Sequence, residues 1–201
     1  PTRGDDAYAA TSLSNLIFGG YFSSRWVSNI REDKGYTYSP HSGIDHPLAG
    51  SRLVAGADVA TGVTAPALLE SLYELGRMAT VPVGQEELDQ ARRYAIGTLA
   101  LSTASQAGLS GLVSQLAGSG QDITWLRTNI ADLQAVTVHD VRAASARWLA
   151  HSEVSRGLGA DRAVTDHRLC ARVATEPGLP ARSTPEGTAH RQPTLAGRRR
   201  W

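Results

Sequence analysis

The sequence predicts an α+β domain, a mostly antiparallel sheet with helices packed on one face. Three observations carry the prediction. Apolar residues recur at helical spacing in several separate windows, two other windows read as strands, one by composition and one by alternation with a period of two, and helical and strand windows are grouped rather than interleaved. Regular βαβ alternation, which would signal a parallel sheet, is absent.

The first helix is expected from Asp5 to Leu16, with Leu13, Leu16, Ile17 and Gly20 on one stripe, running into Gly19-Gly20, where two glycines should bend or break it. A second run places Phe22, Trp26, Val27 and Ile30 on one side, and Gly35 stands where a left-handed cap is expected. Tyr36 to Ile44 is rich in Tyr, Thr and Ser, and Ser51 to Ala60 alternates with Leu53, Ala55, Ala57 and Val59 facing one way. These are two strands joined by a turn over residues 45–50. Thr64 is expected to cap a helix with Pro66 in its first turn and Leu68, Leu69, Leu72 and Leu75 as its buried stripe.

A longer helix follows from Gln85 to about Ser102, its acids Glu86, Glu87 and Asp89 placed at the positive N-terminal end. Helices from Gln106 to Leu116 and Thr124 to Leu133 come next. Thr137 and Asp140 cap a last helix carrying Val138, Val141, Trp148 and Leu149, and Glu153 to Gly159 is a final short strand. After Ala160 the periodicity stops. Four prolines punctuate an arginine-rich run ending in Trp201, so residues 161–201 read as a disordered basic tail and residues 1–160 as the domain. The first residue is Pro1 and the one methionine is Met78, from which the domain is expected to lack its beginning.

Charge narrows the partners. Residues 161–201 carry eight Arg against four acids, so the net charge of +1 conceals a mildly acidic body. Such a body offers no footprint for a phosphate backbone, and nucleic acid is not expected as a partner. No stretch approaches the ~18 apolar residues that would span a bilayer, so no membrane partner is expected either, and a cytoplasmic setting is the default. One cysteine, Cys170, excludes an internal disulfide and a multi-cysteine zinc site.

Several constellations fall away on spacing. Along a strand His41 and Asp45 share a face while His46 points to the other, so the three do not converge on a metal. Gly108-Leu109-Ser110-Gly111 lacks the second glycine of a nucleophile elbow and lies in a helical context. No glycine-rich phosphate loop is present.

The informative stretch is residues 15–43, NLIFGGYFSSRWVSNIREDKGYTYSPHSG. It resembles the signature of the pitrilysin (insulinase-type, M16) zinc metallopeptidases and their mitochondrial processing peptidase-like relatives. There, a helix, a Gly-rich turn, a Ser-Arg pair, an Arg-Glu-x-x-Gly element and a Tyr-bearing strand follow in that order. Weaker similarity at the helix starts after Val83 and Val136 extends the resemblance over roughly residues 5–160.

The resemblance implies the metallohydrolase fold of that family, built from two related halves that close a chamber. One half carries His-x-x-Glu-His, whose histidines hold zinc and whose glutamate activates water. The six histidines here, at 41, 46, 139, 151, 167 and 190, form no such motif. No cofactor is therefore expected in this chain, and zinc is expected in a partner domain or subunit. What the resemblance assigns to the second half is an arginine and a tyrosine seven residues apart that reach into the partner's active site, and Arg31 and Tyr38 match that spacing. A guanidinium and a phenol are donors suited to the oxyanion that peptide hydrolysis develops.

Singly, Arg31 reads as a helix-end cation and Tyr38 as a half-buried strand aromatic; Tyr36, on the same predicted strand face, rivals Tyr38. Gly19, Gly20, Ser24 and Arg25 are candidates for lining the substrate chamber, with close helix packing and a surface ion pair as the structural alternative. The expected function is the non-catalytic half of a zinc endopeptidase, with a peptide substrate and a zinc-bearing partner, inactive alone. The rival is an inactive structural subunit of the same fold.

Overall fold

The computed structural model describes residues 1–47 and 50–150 in full, together with the backbone of two further strands, Val154–Ala160 and Asp166–Ala174. The domain is α+β, as the segregated periodicities predict. Helix α1, Tyr8–Asn15, widens into a π-helical turn over Leu16–Gly20, and the chain leaves extended at Tyr21. A short α2, Arg25–Val27, widens in the same way over Ser28–Asp33 and ends at Gly35, whose φ of 63° is the left-handed conformation that favours glycine. Strands β1, His41–Asp45, and β2, Arg52–Ala60, follow, then α3, Thr64–Thr80, and α4, Gln85–Thr103. Helices α5, Gln106–Gly118, α6, Trp125–Ala135, and α7, Val138–Ala144, precede β3, Val154–Ala160, and β4, Asp166–Ala174.

The four strands form one antiparallel sheet in the order β1-β2-β4-β3. His41 pairs with Gly56 and Asp45 with Arg52 across β1 and β2, while Ala60 pairs with Asp166 across β2 and β4. Leu53, Ala55, Ala57 and Val59 of β2 are buried, the face the alternation predicted, and join Leu13, Ile17, Phe18, Trp26, Ile30, Met78, Leu88 and Val141 in one core. Trp26 is its keystone. Its ring stacks on Phe18 with centroids 5.4 Å apart and 8° between planes, and its indole N–H donates to Ser71 Oγ at 2.9 Å. Truncating a side chain so buried costs on the order of 3–5 kcal/mol.

The ends of α7 and α4 match the sequence signals. Thr137 and Asp140 form a full capping box, and Gly84 precedes an α4 whose first turn holds Glu86 and Glu87. Four expectations are corrected. Tyr36 to Pro40 is not strand, because the Gly35 cap turns the chain back and Tyr36 N–H donates to Ile30 O at 2.9 Å, so β1 starts only after Pro40. Thr64 caps nothing with its side chain; a 3₁₀ turn, Thr61–Val63, leads into α3 instead. The buried face of α3 is Ala67, Ser71, Glu74, Leu75 and Met78, with Leu69 68% exposed, because the helix turns its small and polar positions toward Trp26 and Asn29.

The fourth correction concerns the segment after Ala160. It contributes β4, although composition assigns it to a tail, because the four prolines that mark the tail all lie beyond Ala174, while Leu169, Ala171 and Val173 alternate with Arg168 and Arg172 before them. The rest of the expected tail, residues 175–201, lies outside the described residues.

Candidate functional site

The stretch from α1 to β1 is folded as a bracket. The wide turn at the end of α1 is tied to β1 by Ser42 Oγ, which donates to Asn15 Oδ1 at 2.8 Å. Close approach there requires glycine: a Cβ on Gly19 would lie 2.8 Å from both Ser42 Oγ and Trp26 Cε3, and one on Gly20 would lie 2.9 Å from Leu16 Cδ2. Both glycines also line a cleft of about 380 Å³ together with Tyr21, Phe22, Arg31 and Tyr38. Tyr21, at the cleft's rim, stacks on Tyr94 at 5.1 Å, and burial, followed by the charge of Glu87, raises its phenol above the ordinary value.

Arg31 and Tyr38, predicted as a pair, are brought together. The Arg31 guanidinium carbon lies 5.0 Å over the Tyr38 ring centroid and 4.2 Å over that of Phe22. Its ion pair is with Glu32 at 3.5 Å. Tyr38 is 83% exposed, so the reading of it as a half-buried strand aromatic does not hold, and its phenol is open to a ligand. Tyr36 parts company with it: half-buried, it packs against the core. Arg31, Tyr36 and Tyr38 line a second cleft with Gly35, Asp58 and Ala60, so Arg31 and Tyr38 stand on the ridge between two depressions.

Ser24 and Arg25 line neither cleft. Ser24 stands at the N-cap position of α2 with its hydroxyl buried and without a partner. Arg25 is engaged by the fold: its Nε and Nη2 each lie 2.7 Å from a carboxylate oxygen of Glu87, and it donates to Val81 O and Pro82 O at 3.3 and 3.2 Å. Phe22 is the residue that sequence reasoning missed. It was assigned to the buried side of a helix, yet α2 starts only at Arg25, and Phe22 is 62% exposed.

The histidines and acids around β1 are dispersed. His46 accepts or donates at 2.8 Å with Ser51 Oγ and packs against Tyr8, while Asp45 pairs with Arg52 at 3.0 Å. Among the described residues no three His, Cys, Asp or Glu side chains gather as a metal site would require, so zinc does not fit this part of the chain. No described helix is long and apolar enough to cross a membrane.

No family model and no curated protein matches the sequence. Solved structures do. The inactive domain of a peptidase M16 from Pseudomonas fluorescens is 30% identical with a TM-score of 0.62, over 71% of this chain and 34% of that one. The chain has the fold of an M16 inactive domain. The inactive peptidase domain of a Bordetella parapertussis protein named as a zinc protease is 20% identical with a TM-score of 0.64, over 72% of this chain and 79% of that one. A chain of complex III from Candida albicans, 18% identical with a TM-score of 0.57 over 72% of this chain and 37% of that one, shares the fold alone. The present chain thus spans about a third of the Pseudomonas M16 chain.

Proposed function

We propose that this M16 inactive domain is the substrate-contacting half of a zinc-dependent endopeptidase, offering Arg31 and Tyr38 to a peptide bound against a zinc-bearing partner domain or subunit. The observation that carries the reading is the juxtaposition of the two side chains on an exposed ridge, with a phenol in solvent and a guanidinium whose ion pair is long and peripheral. Exposed pairs of this kind contribute little to stability, which leaves the donors available for another role.

In this reading the partner would hold zinc through a His-x-x-Glu-His motif, and the metal would supply Lewis-acid chemistry at the scissile carbonyl. Arg31 and Tyr38 approach from the opposite side. A guanidinium offers N–H donors and a phenol an O–H donor, and both are suited to stabilising a developing oxyanion. Removing one such donor costs on the order of 3 kcal/mol in the transition state. Gly19 and Gly20 shape the adjoining cleft from beneath, their missing side chains making room for Ser42, Trp26 and Leu16.

The test is reconstitution. The chain alone should bind no stoichiometric zinc and cleave no peptide; mixed with a half that carries His-x-x-Glu-His it should cleave, and Tyr38→Phe should lower kcat at least tenfold. Cleavage by the chain alone, or reconstituted activity indifferent to both Tyr38→Phe and Arg31→Ala, refutes the reading. Assembly without cleavage by any combination would instead favour a structural subunit on the same fold.

A further inference from the structure

We infer that Phe22 is a positioning residue for Arg31, its ring fixing the plane of the guanidinium so that the edge donors face outward. The inference rests on the assignment of Arg31 above but is read from geometry that the assignment did not use. Two aromatic side chains of this region, Phe18 and Trp26, are 0% and 1% exposed, whereas Phe22 is 62% exposed and fills no part of the core. Its ring has a different neighbour, the Arg31 guanidinium carbon 4.2 Å above the centroid.

The backbone that carries Phe22 is held on both sides. Tyr21 before it is stacked on Tyr94, and Ser24 after it donates its N–H to Tyr21 O at 3.2 Å, closing a tight turn. The ring is therefore presented from a fixed point. The carboxylate of Glu32, 3.5 Å from Nε and on a half-exposed side chain, adds a peripheral ion pair of small worth. Guanidinium groups are flat and weakly hydrated, and they stack on aromatic faces while their N–H groups stay in plane and free. With its face on Phe22 and Tyr38 beside it, Arg31 keeps only its edge for a ligand. That edge suits a planar acceptor met in the same plane, a peptide carbonyl or a carboxylate. A lysine ammonium at the same position would have neither the plane nor the fork.

The experiment uses the full chain with Phe22→Leu, which keeps apolar bulk and removes the π face, and Phe22→Trp, which restores it. By NMR, water exchange of the Arg31 Nε–H should rise about two- to fivefold in Phe22→Leu, the range expected for loss of one exposed cation–π contact. It should return to the original rate in Phe22→Trp, with the thermal midpoint in both within about 4 °C of that of the unsubstituted chain. An Arg31 Nε–H exchange rate equal in Phe22→Leu and the unsubstituted chain overturns the inference. In the reconstituted peptidase, Phe22→Leu should lower kcat by a similar factor at constant KM, with recovery in Phe22→Trp; a change in KM alone also overturns it. If Arg31→Ala leaves reconstituted activity intact while Phe22→Leu still frees the Arg31 Nε–H, the positioning contact stands and it is the catalytic reading of Arg31 that falls.

Discussion

Two arginines six residues apart on the same bent helix meet opposite surroundings. Arg25, its side chain 12% exposed, meets Glu87 through two 2.7 Å contacts and two backbone carbonyls of the α3–α4 connection. Arg31, 22% exposed, rests on two solvent-facing rings and shares one 3.5 Å ion pair. Nearly equal burial conceals a difference in how many donors are already engaged. A guanidinium with a full set of internal partners belongs to the fold, and one whose faces are covered but whose edge is open is available for chemistry.

The sharpest way to break this contrast is to truncate each arginine and ask what is lost. Arg31→Ala should cost the reconstituted peptidase about a hundred- to a thousandfold in kcat/KM while moving the unfolding free energy by no more than about 1 kcal/mol. Arg25→Ala should do the reverse, destabilising the chain by about 2 kcal/mol in urea unfolding, because Glu87 and the carbonyls of Val81 and Pro82 lose their donor. The figure is kept below that of a fully buried pair because Glu87 is 29% exposed. If Arg31→Ala unfolds the chain as readily as Arg25→Ala, the division between the two fails.

Gly19→Ala sharpens the contrast from the scaffold side. The added methyl would press on Trp26 and on the Ser42 side chain that ties α1 to β1, and should cost about 2 kcal/mol by thermal unfolding while displacing the cleft floor. The smallest effect is expected at a cap remote from the ridge. Thr137→Ala should cost about 1 kcal/mol. Asp140 is held below the ordinary carboxylate value by the Thr137 hydroxyl, and secondarily by its backbone N–H. A depressed folded pKa stabilises above the unfolded value, near 4, and that contribution is lost as pH falls through the folded one. Melting curves between pH 6 and pH 3 should therefore show a shallower acid decline in Thr137→Ala than in the unsubstituted chain.

Much of the fold was legible because its signals are local. The Thr137–Asp140 box, the Gly35 cap and the alternation of β2 each depend on residues within a few positions of one another. What was misread depends on partners far along the chain. Leu69 looked buried because leucines at helical spacing usually are, but the face of α3 that packs is chosen by Trp26, which needs Ser71 as an acceptor, and by Asn29, which donates to Glu74 at 2.8 Å. Phe22 looked buried because the helical period was carried three residues too far toward the N-terminus, and no capping signal other than Ser24 marked the true start. The Arg31–Tyr38 pair was legible only as part of a family-like pattern; spacing alone would have set Tyr38 on a strand, and Tyr36 against it as an equal.

The left-handed turn at Gly35 makes the interval between Arg31 and Tyr38 a ruler rather than a coincidence of sequence. Glu32, Asp33 and Lys34 inside it are exposed, Glu32 and Lys34 making only long ion pairs, with Arg31 at 3.5 Å and Glu70 at 3.8 Å. The number of residues cannot change, because one insertion would rotate Tyr38 off the ridge and unseat the Tyr36 to Ile30 bond that closes the bend. Substitution should therefore be tolerated best at Asp33, poorly at Gly35, Tyr36 and the buried Thr37, and changes in length hardly at all, a constraint set by the geometry of the bend.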